Sequence, residues 1–167
     1  LGLDLPDCDA YERAVEEKVR ALKERVGDTH IAIDYTATPR PLGLAKFLLI
    51  HGFNVYAVYL DAISPDEKDT FQFLQAHYPD LSLRSTMHFK RRLLPRDDSR
   101  KYGKVLAIGQ MAAYFTDTKY FVNLIENSGL YGYVGLLKLL DWIGRADEAE
   151  NPKMRDIIQI KAWGCHG

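Results

Sequence analysis

Ile31-Ala32-Ile33-Asp34-Tyr35, then Thr36-Ala37-Thr38-Pro39-Arg40-Pro41, then Leu42 to Ile50, His51-Gly52 and Asn54 to Leu60: this stretch decides the fold. A short apolar run bounded by turn residues reads as a buried strand. Threonines and prolines follow as a loop, and an apolar segment of helical length is stopped at His51-Gly52. The second run, β-branched and aromatic in its centre, is again a strand. Strand, helix, strand in so few residues implies two parallel strands joined by a right-handed crossover.

The same alternation continues outward. Upstream, Tyr11, Val15, Val19, Leu22 and Val26 recur at helical spacing, Glu16 and Arg20 pair four residues apart, and Gly27-Asp28 ends the helix. Downstream, Ser64-Pro65-Asp66-Glu67 predicts a helix start with a capping hydroxyl, running to about His77 and stopping at Tyr78-Pro79-Asp80. Leu81 to Thr86 and Lys104 to Ile108 are the third and fourth strands, with a short helix at 110–115 and a fifth strand at Tyr120 to Ile125. Asn127-Ser128-Gly129 breaks the chain before an apolar helix over Tyr133 to Ile143.

The expected architecture is α/β: an open, doubly wound, mostly parallel sheet of four to five strands, Rossmann-like. An N-terminal helix (residues 1–28) packs on the α/β domain (29–146). A C-terminal helical arm (147–167) carries Met154, Ile157, Ile158 and Trp163 on one face.

Composition narrows the function classes. The chain has 167 residues, 47% hydrophobic and 27% charged, with net charge -1, which suits a globular core and gives no overall field for nucleic acid or membrane. No apolar run reaches the roughly 20 residues of a membrane-spanning helix. Cys8 and Cys165 stand at opposite ends without a Cys-x-x-Cys pair, so a reduced, cytoplasmic setting is expected and no metal site is assigned. Leu1 at the start and Gly164-Cys165-His166-Gly167 at the end read as the borders of a piece of a longer protein. Glycine-rich phosphate loops and a Gly-x-Ser-x-Gly nucleophile turn are absent.

Ligands of open parallel sheets sit beyond the carboxyl ends of the strands. The loops there hold Thr36, Thr38 and Arg40 before a helix N-terminus, then Asp61, Gly109, Glu126 and Tyr131. Thr36, Thr38 and Arg40 would suit an anion, with Arg40 offering paired hydrogen bonds to a carboxylate or phosphate. The plainer reading is a solvated Arg40 beside turn-forming threonines. Residues 84–104 are locally basic, either a solvated loop or a protein contact. The tyrosines of Tyr131-Gly132-Tyr133 suit packing at an interface.

As an ordered set, the Arg40-Pro41 loop, Gly52-Phe53-x-Val55, Asp61, Ala107-Ile108-Gly109, Asn127-Ser128-Gly129 and Tyr131-Gly132-Tyr133-Val134-Gly135 resemble the carboxy-terminal third of nitrogenase component 1-type oxidoreductase subunits. The likeness covers about Asp9 to Ala146. That family includes molybdenum–iron protein subunits, cofactor-assembly scaffolds and light-independent protochlorophyllide reductase subunits. The resemblance implies a domain lining part of a metallocluster or tetrapyrrole-like substrate pocket in an ATP-driven electron-transfer system, inactive alone.

By resemblance, Arg40-Pro41 occupies the loop that approaches the cofactor, Asp61 stands for an acidic residue near it, and Gly109 matches the Ile-Gly-Ser-Gly turn. Tyr131 to Gly135 match a His-Gly-Phe-Asp-Gly stretch. Thr36, Thr38 and Glu126 line the same pocket in this reading. Ala37-Thr38 replace the family's Gly-Gly, leaving less backbone room. No histidine falls between Asn123 and Glu126, so a molybdenum site of nitrogenase type is not expected. No cofactor is held by this chain alone; an iron–sulfur or related cluster belongs to the full-length protein. Implied partners are the other domains, a homologous subunit and an ATP-dependent iron protein, with no nucleic acid and no membrane. The alternative is a non-redox ligand-binding or regulatory α/β module.

Overall fold

The computed structural model describes residues 8–125 and 129–150. Five parallel strands form one sheet: β1 (His30–Asp34), β2 (Val55–Tyr59), β3 (Ser82–Arg84), β4 (Val105–Ile108) and β5 (Tyr120–Val122). Their order is β3-β2-β1-β4-β5. The chain therefore builds outward from β1 in one direction, then returns to β1's other side with β4. The crevice above the carboxyl ends of β1 and β4 is the topological switch point.

Helices cover both faces. Ile31, Ile33, Val58, Leu106 and Ile108 point into the larger core. They meet Val15, Val19 and Leu22 of α1 (Cys8–Val26), Leu42, Ala45 and Leu48 of α2 (Pro41–Ile50), and Leu139, Leu140 and Ile143 of α6 (Gly132–Glu148). Leu74 of α3 (Lys68–His77) joins them. The opposite face is small at its centre, with Ala32, Ala57 and Ala107, which lets Met111, Ala112 and Phe115 of α5 (Gln110–Thr116) pack close. A bulge helps arrange that face. Ile31 pairs with Val55 but Ala32 with Ala57, so Tyr56 is an extra residue on β2.

The N-terminal helix packs along α6. Lys18 pairs with Asp141 at 2.7 Å, Arg25 pairs with Glu148, and Tyr133 donates to Glu12 at 2.7 Å while stacking on Tyr11. Gly144 permits the approach, because a Cβ there would lie 3.2 Å from Leu22 and 3.1 Å from the Arg25 guanidinium.

Several boundaries differ from expectation. The third strand is only Ser82–Arg84, because Ser85 and Thr86 turn to bind Asp61 instead of continuing the ladder. Ser64 provides no side-chain cap; Pro65–Glu67 form a 3₁₀ turn before α3 begins. Between β3 and β4, a 3₁₀ segment (Phe89–Leu93) and the short α4 (Asp98–Tyr102) stand where only a loop was expected. Helix α6 extends five residues past Ile143. Of the expected C-terminal arm, residues 151–167, with Cys165, lie outside the described residues.

Candidate functional site

The switch point is organised by a residue that the sequence reading placed only within the first strand. Asp34, the last residue of β1, is fully buried. Its Oδ1 accepts from the Thr36 N–H at 2.8 Å, the Thr36 hydroxyl at 2.5 Å and the Ala37 N–H at 3.1 Å. Its Oδ2 accepts from the Ala112 N–H at 2.7 Å, in the first turn of α5. One carboxylate thus fixes the loop after β1 and satisfies an unpaired donor of a helix that follows β4. Burial pushes the Asp34 carboxyl above its usual range, against the opposing pull of the hydrogen bonds from Thr36, Ala112 and Ala37.

Gly109 makes this contact possible. Its φ is +105°, a left-handed conformation that side chains resist, and a Cβ there would sit 2.3 Å from Asp34 Oδ2. Its N–H donates to Val122 O at 3.1 Å, tying the turn to β5.

The neighbouring helix start is closed in the same manner. Arg40 precedes α2 and Pro41 opens it. Glu67, 2% exposed, accepts from the Gly43 N–H at 2.7 Å and is also bonded by the Leu42 N–H. Burial raises the Glu67 carboxyl despite those bonds and the nearby Arg40 charge. The N-termini of α2 and α5 therefore each already hold an internal anion.

The remaining candidates occupy different parts of the rim. Thr38 Oγ1 accepts a long 3.4 Å contact from the Arg40 N–H. The Arg40 guanidinium extends outward, two-thirds exposed, with only a 3.4 Å contact to Asp66. Asp61 uses both carboxylate oxygens within the chain: Oδ1 accepts from Ser85 Oγ at 2.7 Å, Thr86 N–H at 2.8 Å and Met87 N–H at 2.9 Å, and Oδ2 accepts from the Thr86 hydroxyl. Burial pulls its carboxyl upward, but hydrogen bonds from Thr86, Met87 and Ser85 outweigh it and leave Asp61 below the usual value. Tyr131, 75% exposed, precedes α6 on the far side. Glu126 lies outside the described residues. The structure thus joins Thr36 and Gly109 through Asp34, while Asp61 serves the β3 side and Tyr131 the β5 side.

The rim also exposes apolar side chains. Tyr35 after β1, Ile63 after β2, Ile125 after β5, and Tyr131 and Val134 at the start of α6 are all substantially exposed. Apolar side chains left exposed along the ends of several neighbouring strands suit a surface that another body covers. As metal ligands the described candidates do not fit. They present hydroxyls, a guanidinium and a phenol, the Asp61 oxygens are engaged, and no three His, Cys, Asp or Glu side chains gather for a metal among the described residues.

The sequence reading missed Asp34 and Glu67. A carboxylate directly ending an apolar strand, with Thr two residues on, was the available signal for Asp34; Glu67 offered none beyond its place near a helix start.

No protein-family model matches this chain, and no curated protein does. Among solved structures, one described as nitrogenase Cp1 at pH 6.5 superposes over 96% of this chain with a TM-score of 0.61 and 14% identity. The chain spans 36% of that structure's chain. At such identity the likeness establishes a shared fold.

Proposed function

We propose that this chain is one domain of a nitrogenase component 1-type oxidoreductase subunit, contributing one wall of a pocket for a metallocluster or tetrapyrrole-like substrate. The observation that carries the proposal is the apolar carboxyl rim, exposed at Tyr35, Ile63, Ile125, Tyr131 and Val134, on a fold shared with nitrogenase Cp1 across nearly the whole chain. Such a rim suits a large, mostly apolar group better than a small solvated anion. In this reading Arg40 supplies an exposed positive charge, reaching a carboxylate of the bound group. Thr36, Thr38, Asp61, Gly109 and Tyr131 shape the wall around it, with Glu126 beside them.

The chain's own residues bind, orient and exclude water. Any iron–sulfur or related cluster carries the redox chemistry and takes its ligands from elsewhere in the assembly. Electrons would arrive from an ATP-dependent iron protein, with a homologous subunit completing the pocket, in the cytoplasm. No described helix is long and apolar enough to cross a membrane.

A second reading, a non-redox ligand-binding or regulatory module, is favoured by the internal anions at the starts of α2 and α5. Anaerobic purification of the full-length protein from its own cells separates the two. Bound iron with acid-labile sulfide and a co-purifying homologous subunit supports the oxidoreductase. A colourless, iron-free protein without those partners overturns it in favour of the module.

A further inference from the structure

The connection between β3 and β4 poses a separate problem. It spans the small-residue face of the sheet, and residues 84–104 carry eight Lys and Arg against two Asp in a chain of net charge -1. Arg84 is paired with Asp98 at 2.5 Å, and Lys104 with Asp147 at 2.7 Å. Among the described residues, Lys90, Arg91, Arg96, Arg100 and Lys101 form no ion pair. Interleaved with them are Met87, Phe89, Leu93 and Leu94, exposed at 74, 69, 80 and 52%. Two unfavourable features therefore coincide: unneutralised positive charge and apolar surface in water.

The segment is nevertheless held in place. Asp61 clamps Ser85, Thr86 and Met87, and His88 Nδ1 accepts the Lys90 N–H. Arg91 turns inward against the rings of Tyr59 and Phe115, with its guanidinium carbon 5.1 and 4.9 Å from their centroids, and donates to the Tyr59 hydroxyl at 3.1 Å. Its Nε is buried without a hydrogen-bond partner, a cost the fold bears. Arg96 lies over Tyr114 at 4.3 Å. Anchors facing inward with apolar groups facing outward describe a preorganised surface.

We propose that residues 87–96 form a docking surface for an acidic protein partner, whose apolar side chains cover Met87, Phe89, Leu93 and Leu94 while its carboxylates meet Lys90 and Arg96. Charge complementarity sets the sign of the partner, because among the described residues Lys90 and Arg96 form no ion pair. An apolar centre with Met, Phe and Arg is the composition of protein interfaces. Nucleic acid is disfavoured because Phe89 alone among the four exposed groups offers a ring for a base to stack on. A lipid surface is disfavoured because Phe89 and Leu93 sit on a short 3₁₀ segment flanked by Met87 and Leu94, not on a long amphipathic helix.

The test uses the full-length protein and four probes: a fluorescent peptide alternating Glu with Leu and Phe, its Lys-for-Glu counterpart, an oligothymidine, and phosphatidylserine-containing vesicles. The Glu peptide should bind, weaken with salt, and lose about tenfold or more in affinity in Phe89→Glu/Leu93→Glu, by loss of central interface contacts. Leu93→Ser and Lys90→Glu, which alter only exposed groups, should each weaken it while circular dichroism stays unchanged. The idea is overturned if the Glu peptide does not bind, if these variants or the Lys peptide bind equally well, or if oligothymidine or vesicles bind more tightly.

Discussion

The Asp34 carboxylate occupies the space that a side chain on Gly109 would need: a Cβ there would lie 2.3 Å from Asp34 Oδ2. Two residues 75 positions apart thereby fix the mouth of the switch point, one by its charge and the other by having no side chain. Every reading of this rim depends on that contact, since it sets the loop bearing Thr36 and the start of α5 together.

Gly109→Ala should therefore be among the most damaging single changes at the rim. It adds left-handed backbone strain to a clash with a buried carboxylate, a cost of about 2–4 kcal/mol. Urea unfolding measures it, and combining the change with Asp34→Ala should return part of the loss by removing the obstruction. Additive losses would show that the two residues do not oppose each other.

The two aspartates should titrate in opposite directions. Burial raises Asp34, so its folded form holds the proton to higher pH than the unfolded chain does. Its contribution to stability is then full below the ordinary value of 3.8 and is lost as pH rises through the folded value. For Asp61 burial is outweighed by hydrogen bonds from Thr86, Met87 and Ser85, and its folded value lies below 3.8. Its contribution is present above 3.8 and is lost as pH falls through the folded value. Carboxyl carbon shifts of labelled aspartate across a pH series read both directly. Two coincident curves would refute the contrast.

Helix α2 tests whether Glu67 stands in for an external anion. Glu67→Ala leaves the Gly43 and Leu42 N–H groups without their acceptor and should cost about 1–2 kcal/mol, as loss of a cap does. Sulfate should restore part of that stability in the variant and change the parent protein little, because the parent's helix start is already filled. Equal sulfate stabilisation of both proteins would mean that Glu67 does not close the site.

How much of this was legible follows from the range of the interactions. The unit β1–α2–β2 was readable within a residue at most boundaries, because an apolar run, a Pro-initiated helix and a Gly stop are local signals. The segment from Phe89 to Tyr102 was not, since its order comes from contacts such as Arg91 to Tyr59 and Arg84 to Asp98 that composition does not reveal. Asp34 and Glu67 were hidden for the same reason: their acceptors serve N–H groups 78 and 24 residues away. Rim position could be inferred for Thr36, Thr38, Arg40, Asp61, Gly109 and Tyr131 from strand ends alone. Asp61's engagement with Ser85, Thr86 and Met87 could not.

Arg40 separates structural from functional roles most cleanly. Its contact to Asp66 is long and both groups are about two-thirds exposed, so the pair is screened by water and by salt. Arg40→Ala should change folding stability by about 0.5 kcal/mol or less. If the guanidinium meets a carboxylate of a bound substrate in the proposed oxidoreductase, the same change should lower activity of the full assembly about tenfold or more, with Arg40→Lys recovering only part because it lacks the planar fork. Denaturant unfolding and steady-state kinetics on the same preparations provide both numbers. Unaltered activity in Arg40→Ala would remove Arg40 from the pocket and leave it an ordinary solvated cation.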